Sequence, residues 1–184
     1  MSAALNFDLA DAIDVLRRTP AVISALLTDI NDSWARANEG PETFSPFDVV
    51  GHLIEGEHTD WIVRAEIIRR GDPTETFAPY DRFGHWDKNK QRTLSSLLDE
   101  FAALRHRNLE TLQSWNLAEA DLALTATHPR LGVVSLRQLL STWVVHDLGH
   151  IAQITRVMAK HYKQDIGPWE AFLPIVSDRP KPQS

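Results

Sequence analysis

An all-α, up-and-down-like four-helix bundle with long connections is the fold this sequence predicts, and three observations predict it. Four long stretches carry apolar residues at helical spacing. The later ones open on strong cap signatures. Between them, no run alternates for long enough to define a strand.

The first stretch, Phe7 to Arg18, places Leu9, Ile13, Val15 and Leu16 on one broad stripe. Thr19-Pro20 then reads as an N-cap followed by a first-turn proline, so Ala21 to Ile30 is a kinked continuation. Residues 35–44, with Asn38, Gly40 and Pro41, form a loop. Ser45-Pro46-Phe47-Asp48 is the strongest helix start in the chain: a serine cap, proline at the first position, an acid three residues on. That helix runs to Arg70 and stops before Gly71-Asp72-Pro73. Residues 71–91 are irregular and rich in aromatics, and loops beyond about 12–15 residues are uncommon unless functional or disordered. This one either covers a pocket or plugs the core with Phe83 and Trp86.

Thr93 opens the third helix, with Leu97, Phe101, Leu104 and Leu112 inside and Arg105, Arg107 and Glu110 largely outside. A connector with a turn-like His128-Pro129-Arg130-Leu131-Gly132 leads to Ser135. Ser135 and Gln138 make a capping box for the fourth helix, which runs to about His161. Trp169, Phe172 and Leu173 are expected to pack back on the bundle. The whole reads as a single domain over residues 1–176 with a flexible tail at 177–184.

Composition narrows the partners. A formal charge of −6, with no basic run, argues against nucleic acid, whose phosphates need a cationic face. No apolar run reaches the roughly 18 residues needed to span a bilayer, and the N-terminal segment carries acids where a signal peptide is apolar, so a cytoplasmic protein is expected. Without cysteine, metal ligation falls to histidine and carboxylate.

Histidine is where the chemistry gathers. His146 and His150 are four apart on the last helix, about 40° around its axis and about 6 Å along it, a spacing at which two imidazoles can share one ion. The alternative is a pair of satisfied or solvent-facing histidines. Gly149 beside them offers room for a backbone or ligand to approach. His52, next to Gly51 in an apolar stretch of the second helix, needs a partner if buried, and a metal shared with the other two would supply one.

Three segments together resemble the DinB/YfiT-like superfamily of metal-dependent enzymes: GHL early in the second helix, HPRLG ahead of a capped helix, and LRQLLSTWVVHDLGHIAQITR. The likeness runs from about Leu9 to about Tyr162. It implies a four-helix bundle holding a divalent metal, zinc or nickel, on His52, His146 and His150. It implies frequent homodimers, a small-molecule substrate, and transfer of low-molecular-weight thiols or isomerisation of thiol adducts, with such a thiol as cosubstrate; the ligand set itself would serve hydrolysis or thiol transfer alike. Three neutral imidazoles would leave the ion its double charge and an open coordination position, as in catalytic zinc sites. The alternative is a non-enzymatic dimeric bundle or small-molecule binder in which a metal is structural or absent.

A general base is harder to place. Asp147 lies about 100° around the helix from His146 and should face elsewhere. Glu55, three residues after His52, is the candidate catalytic carboxylate or hydrogen-bond acceptor, against an exposed helix-face role. His85 in the long loop is a candidate to approach the site. His58, His106, His128 and His161 are expected at the surface, in turns or too far along an axis.

Overall fold

The computed structural model describes residues 6–72 and 75–177. The seven α-helices among them are α1 (Leu9–Leu27), α2 (Asp32–Ala35), α3 (Pro46–Thr59), α4 (Trp61–Arg70), α5 (His85–Asn89), α6 (Leu94–Ser114) and α7 (Leu136–Lys160). Two short strands, β1 (Thr125–His128) and β2 (Gly132–Ser135), complete the regular structure together with short 3-10 turns.

The helix starts follow their caps. Asp8 accepts from the Asp11 amide at 2.9 Å to open α1. Capping boxes open α3, with Ser45 and Asp48, and α7, with Ser135 and Gln138. Pro20 sits inside α1 rather than at its start. A proline offers no N–H to the carbonyl four residues back, here Leu16. That carbonyl instead accepts from Arg105 Nη1 at 2.8 Å. The second helix bends at Asp60 (φ −114°, ψ −77°), which separates α3 from α4, yet Asp60 N still reaches Gly56 O and Arg64 N still reaches Asp60 O. Gly56 has a positional reason: a Cβ there would lie 3.1 Å from Trp61 Nε1.

Around the bundle, α1 packs on α6 and α7, and α3 packs on the same two helices. The first and second long helices therefore face each other diagonally. Apolar side chains form two clusters, one around Leu16, Trp61, Leu109, Leu140 and Trp143, the other around Ile23, Leu53, Leu97, Phe101 and Ile154. Between them along every helix lies a buried polar layer. Arg105 donates to Glu57 Oε1 (2.7 and 3.0 Å), to Asp147 (2.6 and 3.2 Å) and to Leu16 O, while Asn108 donates to Glu57 Oε2 at 2.8 Å.

Several expectations are corrected here. Arg105 is 1% exposed rather than largely outside, because it neutralises two carboxylates inside the bundle and caps the Leu16 carbonyl. The 116–134 connector holds an antiparallel hairpin, with Ala126 opposite Val134 and His128 opposite Gly132, which stands at φ +75°. Four-residue strands such as Thr125–His128 show too little alternation to be read from sequence. Trp169, Phe172 and Leu173 do not pack back, being 70%, 77% and 40% exposed; Val176 is the residue buried there. The tail expected over 177–184 lies, beyond Ser177, outside the described residues. No helix among the described residues is long and apolar enough to cross a membrane.

Candidate metal centre

His52 reaches inward from the middle of α3, and His146 and His150 from one face of α7. The Nε2 atom of His146 is 3.2 Å from that of His52 and 3.1 Å from that of His150. One ligating nitrogen from each residue falls within 4.8 Å of the others.

The opposite ring nitrogens decide what those converging atoms offer. His150 Nδ1 lies 3.0 Å from Gln153 Oε1. An amide oxygen only accepts, so the hydrogen is on Nδ1 and the lone pair on Nε2. His52 Nδ1 is 3.1 Å from the Tyr80 hydroxyl, which can accept in the same way. His146 carries at most one hydrogen on Nε2 and cannot donate to both neighbours, which leaves lone pairs facing one another across about 3 Å. A cation between them removes that conflict, and in this respect the residues present fit a divalent metal. His146 Nδ1 is buried without a hydrogen bond, with Asp147 Oδ1 3.9 Å away as an electrostatic neighbour.

Burial, and then the neighbouring imidazoles, hold His52 at a pKa of about 2. Burial and His146 bring His150 down to about 4. Both rings are thus neutral near pH 7, the form that ligates. Burial likewise lifts the Tyr80 hydroxyl well above the usual phenol range, so it stays a neutral partner for His52.

The triad opens on a cavity of about 710 Å³. One wall is apolar, with Phe44, Trp61, Phe77, Leu131, Val134 and Leu139. Polar groups come from Asp60, Arg64, Tyr80, Arg82, Arg130 and Gln153. Asp60 is held by Arg64 Nε at 2.7 Å, and burial raises its carboxyl despite that cation.

The structure thus brings together His52, His146 and His150. It places Glu55 elsewhere: Lys88 on α5 grips its carboxylate at 2.7 and 2.8 Å, and Glu55 does not line the cavity. Asp147 turns to Arg105, as its position around the helix predicts. His85 is buried 5.7 Å, centroid to centroid, from His52, outside the three-nitrogen cluster. The aromatic loop lines the cavity, and of the two aromatics expected to plug the core only Trp86 does so, Phe83 being 36% exposed. Tyr80 and Arg82 wall the cavity, while Trp86 packs on the core. Gly149 faces open space, whereas a Cβ on Gly51 would fall 2.5 Å from Asn89 Nδ2, so Gly51 is the glycine that permits a close approach.

Sequence reasoning passed over Tyr80, Gln153, Asp60 and Arg64. Gln153 had a signal, since it lies three residues after His150 and hence on the same helical face. Tyr80 had none, because a loop carries no periodicity.

A helical bundle with three inward histidines from two helices defines a class of metal-site scaffold. The model of the DinB superfamily matches residues 16–154, and the chain belongs to that superfamily. Its fold is similar to that of YfiT from Bacillus subtilis, described as a probable metal-dependent hydrolase with an unusual four-helix bundle topology. The TM-score is 0.72 at 21% identity, over 88% of this chain and 93% of that one. No curated protein matches the sequence.

Proposed function

We propose that this protein is a divalent-metal-dependent enzyme acting on a small molecule bound in the cavity beside His52, His146 and His150. The observation that carries the reading is the convergence of three Nε2 atoms whose other ring nitrogens are, in two cases, already engaged. When bound, a divalent ion such as zinc or nickel would supply Lewis acidity, polarising a carbonyl or acidifying a water or thiol.

The protein's own residues do the rest. Gln153 and Tyr80 orient the rings, Trp61 and Phe77 present an apolar surface to the substrate, and Asp60, the carboxylate of the cavity wall, is better placed than Glu55 to exchange a proton with it. Hydrolysis and transfer of a low-molecular-weight thiol are two uses of such a centre. The description of YfiT as a hydrolase favours the first. A non-catalytic binder with a structural metal is the competing reading, and chelation that unfolds the protein without any turnover would favour it.

Metal analysis of untagged protein tests the proposal. Uptake of zinc, nickel or manganese is expected in the wild type and should be abolished in His146→Ala. Wild-type protein that takes up none of the three would sink the metal centre.

A homodimer fits the exposed apolar residues Val145 (67%) and Leu148 (50%) on the outer face of α7. Light scattering that finds a monomer at micromolar concentration would remove it.

A further inference from the structure

The charge of the cavity wall points beyond a generic small molecule. Three guanidiniums line the cavity, from Arg64, Arg82 and Arg130, against one carboxylate, Asp60. Asp60 is committed to Arg64 at 2.7 Å. Among the described residues neither Arg82 nor Arg130 has a carboxylate partner. Arg82 lies over the rings of Phe44 and Phe83 at 5.3 and 5.4 Å, and its charge acts on both His52 and His150. Arg130 stands in the β1–β2 turn, where its charge and that of Arg64 act on His128. Two exposed cations without carboxylate partners therefore border a largely apolar chamber. Such unpaired charge at its edge favours a complementary anion.

The same turn leaves anion recognition to side chains. The backbone amides of Arg130 and Leu131 donate to His128 Nδ1 at 3.1 and 3.2 Å and are not free to hold an anion. What remains is the planar guanidinium fork, which matches a carboxylate or a phosphate in two parallel hydrogen bonds. The room beside it is walled by Trp61, Phe77 and Leu139.

From this we infer that the cavity takes small anions with an apolar or aromatic body, represented below by a carboxylate, and that Arg82 and Arg130 set this specificity. The inference rests on the cavity being the substrate site, but it concerns binding and does not require the metal.

Binding of three probes of one shape separates charge from shape: 2-naphthoate, the neutral 2-naphthamide and the cationic 2-naphthylmethylammonium. Titration calorimetry on wild-type protein with chelator present, at low ionic strength, should show the carboxylate binding at least about tenfold more tightly than the amide and the cation most weakly. The double variant Arg82→Gln, Arg130→Gln should lose that preference and keep the weak binding of the amide, with its metal uptake unchanged. Equal affinity for carboxylate and amide, no binding of any probe at millimolar concentration, or a preference that survives in the double variant would each overturn the inference. Metal uptake measured separately on the same protein preparations, without chelator, keeps the two readings apart: discrimination without metal binding would sink only the metal centre.

Discussion

Arg105 Nη1 lies 2.6 Å from Asp147 Oδ2, with the two side chains 1% and 0% exposed. Asp147 directly follows His146, and the same guanidinium holds Glu57, five residues beyond His52. One cation thus ties together the two helices that carry the triad. Burial pushes the Asp147 carboxyl up, but Arg105, with help from His146 and Thr19, more than offsets this and holds it below its ordinary value. At Glu57 burial prevails and the carboxyl is raised. The two acids share one guanidinium unequally.

Removing that cation should therefore be severe. Arg105→Leu strands two buried carboxylates and frees the Leu16 carbonyl that Pro20 leaves without a partner. We expect a loss of about 3–5 kcal/mol in urea unfolding at neutral pH. A loss below about 1 kcal/mol would mean that water or a rearranged side chain replaces the guanidinium.

The ring-orienting contacts make a separate prediction about the triad. Gln153→Ala and Tyr80→Phe each remove the partner of a histidine Nδ1 while leaving all three rings in place. Partners of this kind are typically worth about 10–100-fold in metal affinity. Competition against a chromophoric chelator should show a loss in that range for Gln153→Ala, and unchanged affinity would deny the residue this role.

Two glycines should respond in opposite senses. In Gly51→Ala the new methyl would meet Asn89 Nδ2 at 2.5 Å and His85 Cδ2 at 3.1 Å, so these buried side chains must give way, at a cost of about 1–3 kcal/mol. At Gly149 nothing lies within 4 Å, and alanine should stabilise α7 by up to about 1 kcal/mol. Thermal melts of the two variants give the comparison directly.

Acid sensitivity has a local source at Glu39. Hydrogen bonds from Arg156, with help from Lys160, lower its carboxyl from 4.5 to about 2 against an opposing effect of burial. A depressed folded-state pKa stabilises above the unfolded value and is lost as pH falls toward the folded one. Wild type should therefore exceed Glu39→Gln by about 1 kcal/mol at pH 7, allowing for solvent screening, and the gap should close between pH 4.5 and about 2. A gap that does not change with pH would assign the effect to packing.

The long helices were legible in the sequence because their determinants are local. Caps at Ser45, Thr93 and Ser135 and the 3–4-residue apolar rhythm act within a turn or two of the chain. The pairing of His146 with His150 was legible for the same reason, since helical geometry alone sets residues four apart side by side. The addition of His52 to them was not local: its place in an apolar helical stretch suggested it and the resemblance of motifs supported it, while spacing could not. Only the tertiary structure decided that α1 and α3 stand diagonal and that Arg105 turns inward to two acids from other helices. It alone decided that Glu55 goes to Lys88 while Tyr80 and Gln153 orient the rings. Those outcomes depend on which faces meet across the bundle, and a charged residue on a helix looks the same in sequence whether water or a buried counter-charge awaits it.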